Sequence, residues 1–379
     1  MTAGPDVVVV GAGPVGLFTG LLLLQRGRSV RILERRVGRS NRSRAIGIHP
    51  PALRALDRAG IAESLVAAGV RIDRGLAYSR SKRVAELPFR SDPDFPFILA
   101  VPQPVTERTL EEAVAALDPA AVVRGARVVD ATDDGGGVTV VAKSPEGAVE
   151  MRARLVVAAD GAHSSFRERL LPCLHSKGYP DSYLMGDFAD DTGHGPAAVL
   201  YLEPDGIVES FPLPGGVRRW VVRLGSPAIT PTADGLATLV GARTGVFPDE
   251  SSNSMLSAFD VRARLAPRMV HGRIVLLGDA AHEISPIGGQ GMNLGWLDAA
   301  AVVPLMDASM AGQDVGGRLR LVEKDRRRAA IRASRQAGLN MALGRPLPPA
   351  VMTARNAAFA RALQLGPVTE LVERRFTMR

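Results

Sequence analysis

Three glycine-rich segments, far apart in the chain, hold the residues best suited to chemistry. They are Gly11-Ala12-Gly13-Pro14-Val15-Gly16, then Asp160-Gly161-Ala162-His163-Ser164-Ser165-Phe166-Arg167, then Gly278-Asp279-Ala280-Ala281-His282, running on to Gly288-Gly289-Gln290-Gly291-Met292-Asn293. In the first, Gly11 permits a tight turn, Gly13 lets backbone approach a pyrophosphate and Gly16 lets a helix pack closely on a strand. The helix opening at Pro14 and Val15 turns its amides and positive dipole end toward the phosphates. Glu34 lies about 20 residues on, where a carboxylate can accept ribose hydroxyls, and Arg35 follows it. The third segment offers a short acid, Asp279, and a helix start at Gly291, suited to negative charge on a bound group.

Each segment follows an apolar, β-branched run, so each sits where a strand ends. Val7 to Val10 shows no polar alternation and reads as a strand buried on both faces of a parallel sheet. One such turn holds a pyrophosphate. Three can surround a long ligand with a diphosphate, a sugar chain and a ring, which is the shape of FAD. The first motif alone fits NAD and FAD equally.

Taken together, the segments resemble the fingerprints of the class A flavoprotein monooxygenases, the para-hydroxybenzoate hydroxylase-like family. Asp160, Gly161, Ser164 and Arg167 match that family's DGxxSxxR motif. Gly278, Asp279, Ala280, Ala281, His282, Pro286, Gly289, Gly291 and Asn293 match its GDAAHxxxPxxGxGxN motif. Ser43-Arg44-Ala45 and Gln103-Pro104-Val105-Thr106-Glu107 are lesser matches, while Ser285 stands where many relatives carry a second proline. The resemblance implies a bound FAD, with Glu34 at the adenosine ribose and Arg44 along the pyrophosphate or flavin edge. It places Gln103 near the adenosine or ribityl part and Asp279 on the ribityl chain. The amides near Gly291, Met292 and Asn293 would face the pyrimidine edge of the ring. Asp160 and Arg167 would serve FAD and a transient NAD(P)H, for which no second dinucleotide domain is evident.

The same resemblance implies an O2-using hydroxylase of an aromatic or polyketide-like molecule, acting through a flavin C4a-hydroperoxide. Epoxidation, Baeyer–Villiger insertion and oxidation without oxygen transfer are the alternatives on this fold. Trp220 and Trp296 are the only tryptophans and are too far apart for the Trp-x-Trp-x-x-Pro motif of flavin halogenases.

Composition narrows the class further. The chain has 379 residues, a net charge of +8, 47 basic and 39 acidic residues, and a single cysteine, Cys173. That length supports two joined domains. One cysteine permits no internal disulfide, which fits a cytoplasmic protein. The uncharged stretch from Val7 to Leu24 is broken by glycines and Pro14, so a membrane span is not expected. No recognition helix or aromatic–basic stacking surface accompanies the arginine excess, so nucleic acid is not an expected partner. The histidines form no metal-ligand spacing, and Gly-x-Ser-x-Gly is absent. Monomer and homodimer stay open.

The fold class is α/β, with a Rossmann-like FAD-binding domain, an inserted antiparallel sheet for substrate and C-terminal helices. The expected division is 1–175 with 269–330 for FAD, 176–268 for the sheet, and 331–379 for the helices; 71–100 can join the sheet. Helices are expected over 14–25, 51–68, 104–117, 252–265, 290–306 and 317–343, with one more after the prolines at 346–349. Residues 121–159 read as a meander, and Arg326-Arg327-Arg328 as a solvated helix face. Substrate should lie between the sheet and the flavin. Tyr183, Met185, Tyr201, Phe211, Leu213, Trp220 and Pro286 are the candidate lining residues.

Overall fold

The computed structural model describes residues 4–39, 45–225 and 230–379, so Ser43 and Arg44 lie outside the described residues. Its first layer is a sheet built on parallel strands. Val7–Val10 lies between Val30–Glu34 on one side and Leu155–Ala158 on the other, with Val122–Arg124 and Ile274–Leu276 beyond them. The chain moves one way from the first strand to the second and returns to the other side much later. A crevice opens at such a reversal, beyond the carboxyl ends of the strands. Here those ends carry Gly11 and Asp160. Helix Pro14–Leu24 packs on the sheet with Phe18, Leu21 and Leu23 buried.

The second layer is an eight-stranded sheet. Its long strands are Lys177–Ala189, Val217–Leu224 and Met255–Leu265, and it extends through Val208–Leu213, Ala198–Tyr201, Arg74–Ser79 and Lys82–Pro88. Residues of the 71–100 stretch therefore complete this sheet. Met255–Leu265 was expected to be helical but is a strand. Phe259, Val261 and Ala263 alternate with Asp260, Arg262 and Arg264, a period of two that suits a pleated surface. The helix of this region lies earlier, at Ala233–Thr244, with the Thr232 hydroxyl capping its start and Gly245 in the left-handed conformation at its end.

Smaller differences have local causes. The 51–68 helix is two helices, Pro50–Arg58 and Ala62–Ala68, parted at Gly60, which has φ +75°. The final helix is also two, Pro349–Ala362 and Gly366–Phe376. The 121–159 meander keeps three antiparallel strands, while Val122–Arg124 and Leu155–Ala158 join the parallel sheet. Arg326 is not on a solvated face. Its guanidinium donates to buried Asp298 at 2.6 Å, and Asp298 also holds His282.

Strand register divides the second sheet into two faces. Leu184, Phe188, Val199, Tyr201, Val208, Trp220 and Val222 form a core with Leu236 and Val240 of the Ala233–Thr244 helix. Met185, Glu209, Phe211 and Val221 lie on the opposite face, toward the parallel sheet. Trp220 is 1% exposed and stacks on Tyr201 at 5.9 Å. Its loss would leave a void that this core cannot refill. Trp220→Ala should therefore cost about 3–5 kcal/mol, read as a fall in the urea midpoint of the purified protein.

Candidate functional site

The turn after the first strand is shaped by its glycines. Gly11 has φ +103°, and a Cβ there would lie 2.5 Å from the Ala159 carbonyl oxygen, so the first two motifs meet backbone to backbone. A Cβ on Gly16 would come within 1.9 Å of the Gly11 carbonyl oxygen. Gly13 differs from both. A Cβ there would meet nothing within 4 Å, because its face opens into a cavity.

That cavity has a volume of about 800 Å³ and runs from this turn to the second sheet. Gly13, Pro14 and Val15 line one end. Gly161, Asp279, Pro286, Gly289, Gly291 and Met292 continue it, and Met185, Phe211, Leu200 and Val221 form the far wall. The third motif is held there by two fasteners. Asn293 accepts from the His49 amide and donates to the Gly47 and Gly289 carbonyls, and Trp296 donates from Nε1 to the Pro14 carbonyl. Asn293 is fully buried and off the wall, so it shapes the loop rather than facing a ligand. Gly278, with φ +62°, likewise serves packing, since a Cβ there would lie 3.1 Å from the Val15 side chain.

Several sequence expectations find different places. Glu34 is at the turn: its carboxylate accepts from the Ala12 amide at 2.9 Å and from Arg36. Burial disfavours its charge, but Arg36 and the amides of Arg36 and Ala12 outweigh this and hold its pKa below the usual carboxylate value. Arg35 points outward and is exposed; of the two, Arg36 is the one that lines the cavity. Arg167 is not open to a passing cosubstrate. It is 2% exposed and donates to the carbonyls of Asp279 at 2.7 Å and of Ala162, so it ties the second motif to the third. Asp160 accepts from the Ser165 amide, fixing the start of the short helix Ser165–Leu170. Gln103 lines the cavity and bridges the Ala45 amide and Glu107.

Of the proposed far-wall residues, Met185, Phe211 and Pro286 line the cavity. Tyr201 and Trp220 do not, since they project from the other face of the sheet. Leu213 is not on the wall itself; it packs behind Ile72, Leu87 and Phe89, which are. Tyr183 shares the Met185 face but lies behind it, stacked on Phe259 at 5.6 Å, with a buried hydroxyl that has no partner among the described residues. A one-residue shift in register reverses every side chain of a strand, and no residue type announces that register.

Other wall residues were not foreseen. Glu107 and Glu209 are buried carboxylates, both with pKa values raised by burial, Glu209 to about 7. Arg355, Phe359, Leu363 and Phe376, from the two C-terminal helices, close the cavity's side. Asp279 is surrounded by protein yet open to the cavity, and desolvation raises its pKa. His49 sits beneath the glycine loop, with its Nε2 3.5 Å from where a Gly289 Cβ would be. Its ring nitrogens have no hydrogen-bond partner among the described residues. Burial pushes its pKa down to about 4, offset in part by the nearby backbone of Gly288 and Phe376. The proximity of His49 to the Gly288–Gly289 turn was legible only in three dimensions.

Comparison with known proteins gives a consistent result. The sequence profile of a family described as "FAD binding domain" matches residues 5–337. Rifampicin monooxygenase of Streptomyces venezuelae is 33% identical over 301 residues, which are 78% of this chain and 62% of that protein. The chain thus spans less than two thirds of that relative's length. Para-nitrophenol 4-monooxygenase of a Pseudomonas species is 30% identical over 318 residues, 77% of this chain and 75% of the relative. The crystal structure of p-nitrophenol 4-monooxygenase from Pseudomonas putida superposes with a TM-score of 0.89 at 26% identity, covering 100% of this chain and 99% of the other.

Two variants test the site. Gly13→Val should fold and remain soluble, since its extended backbone accepts a side chain, but should purify without dinucleotide because the valine fills the cavity mouth. Full occupancy, read from absorbance, would contradict the placement. His49 titrates lower in the folded than in the unfolded chain, so acid favours unfolding between its ordinary value of 6.5 and about 4. Across that window the wild type should lose about 3 kcal/mol more stability than His49→Gln, measured by urea denaturation at both pH values.

Proposed function

Starting from the chain's membership of the FAD-binding domain family, we propose that it is an FAD-dependent monooxygenase that hydroxylates an aromatic or polyketide-like small molecule with NAD(P)H and O2. The observation that carries this reading is the continuity of the cavity. One end is a phosphate-binding turn with a helix N-terminus; the other is an apolar sheet face of a size suited to a ring system.

The residues present fit the cofactor. The Gly13 face is open where a diphosphate would lie, and the Pro14–Leu24 helix directs its amides there. Glu34 retains its charge at neutral pH and, through the Ala12 amide and Arg36, fixes the shape of the turn, while Asp279 presents to the cavity a carboxylate with no hydrogen-bond partner among the described residues. The helix Gly291–Met310 begins at the wall, and its dipole favours an anionic ring edge. Bound there and reduced by NAD(P)H, FAD supplies the activation of O2.

The protein's part is orientation and exclusion of water. The Pro286–Gly291 loop covers one side of the cavity, and its shape is set by Asn293 and by the Ser285 hydroxyl, which accepts from the Ile287 amide at 3.2 Å. Phe359, Leu363 and Phe376 close another side. The apolar row on the sheet holds a flat substrate away from solvent, so that reducing equivalents reach product rather than hydrogen peroxide. Arg167 serves here as a positioning residue, keeping the Asp279 turn against the second motif. NAD(P)H is taken as a transient cosubstrate, as the resemblance to the flavoprotein monooxygenases implies.

The test is isotopic. The FAD-loaded protein is offered phenols and polycyclic polyketides with NADH or NADPH under 18O2. The expected product carries one 18O atom and forms with substrate-stimulated flavin reduction. Oxygen derived from water, or flavin reduction that yields only hydrogen peroxide across the panel, would end the reading.

A further inference from the structure

The cavity-facing row of the second sheet runs across five strands. Ala77 pairs with Leu200, Leu200 with Glu209, Glu209 with Val221, and Val221 with Met185. Four of these five side chains are apolar. The fifth is a carboxylate at the middle of the row, 8% exposed and on the cavity wall.

A buried carboxylate normally sits with a cation or several donors. Glu209 has neither among the described residues, although arginines stand on both diagonals. Arg219 directs Nε and one terminal nitrogen to Asp187 at 2.7 and 2.8 Å. Arg223 donates to Asp181 at 2.8 Å, and Arg345 holds the other side of that same acid. Each arginine has its own acid, so the sheet satisfies its other buried charges and leaves this one open. Burial is the only influence on its acidity and raises its pKa to about 7, consistent with a carboxyl awaiting a donor. An apolar wall would be cheaper for folding alone, since an unpaired buried polar group is destabilising, the more so when charged.

We propose that Glu209 is the specificity-determining acceptor of this cavity, taking a hydrogen bond from a hydroxyl group on an otherwise apolar, fused-ring substrate. The assignment rests on the monooxygenase reading above, which makes this wall the substrate's. The hydroxyl anchors at Glu209, and the ring system lies on Leu200, Val221, Met185 and Phe211. A substrate whose oxygen is capped as an ether offers no donor and leaves the carboxylate unpaired. Sites built around a buried hydrogen bond reject such analogues strongly, because the desolvated partner is not repaid.

The experiment measures binding to the FAD-loaded protein by equilibrium dialysis. The probes are 2-naphthol and its methyl ether, 2-methoxynaphthalene, and the proteins are wild type, Glu209→Gln and Glu209→Leu. Retained FAD and an unchanged far-ultraviolet spectrum establish that each variant is folded. Wild type should prefer the naphthol by about tenfold. Glu209→Leu should bind both probes alike, and Glu209→Gln, whose amide oxygen still accepts, should keep part of the preference. An undiminished preference in Glu209→Leu overturns the assignment. So does a wild type that binds neither probe or binds both equally. None of these outcomes bears on the origin of the product oxygen, so failure here and failure of the monooxygenase reading are separately visible.

Discussion

Everything at this site depends on how closely the turn at Gly11–Val15 is pressed against the helix Gly291–Met310. Val15 is the wedge. A Cβ on Gly295 would lie 2.4 Å from its side chain, and one on Gly278 would lie 3.1 Å from it. Glycine at both positions lets the first and third motifs share one surface, and the Trp296 hydrogen bond to Pro14 locks the pair. Arg167 then draws in the second motif through the Asp279 carbonyl. Three segments separated by more than a hundred residues thereby become one wall. Close packing of this kind leaves little room for even a methyl group.

Much of this wall is legible in the sequence because its signals are local. A glycine at a strand end, a proline at the first turn of a helix and an acid at fixed distance each report the backbone around them. The parallel sheet, the helices at 14–25 and 104–117 and the positions of all three motifs follow from such signals. The end of the second strand at Glu34 follows from the same signals, whereas Arg35 and Arg36 differ by one residue in a loop whose path no local rule specifies.

The far wall was harder to read for a physical reason. Its strands contact protein on both faces, so hydrophobicity does not say which face meets the ligand. Tyr201 and Trp220 were candidate lining residues, yet they pack under the Ala233–Thr244 helix. Met255–Leu265 was mistaken for a helix despite its alternation. The closing residues Phe359, Leu363 and Phe376 come from the end of the chain, and only tertiary packing brings them to the cavity. Glu209 escaped notice because a single acid in a strand ordinarily faces solvent.

The structure thus joins a glycine-shaped turn and a largely apolar sheet face in one cavity. Among the described residues, no helix is long and apolar enough to cross a membrane, and no group of His, Cys, Asp and Glu residues is placed to hold a metal ion. The central claim is that one cavity serves both cofactor and substrate. A crystal structure of the FAD-loaded protein tests this most directly. The account predicts density for the diphosphate at Gly13–Val15 and for the ring at the Pro286–Gly291 loop, with the Leu200–Glu209–Val221 face left free for substrate. FAD lying across that face, or bound outside this cavity, would contradict it.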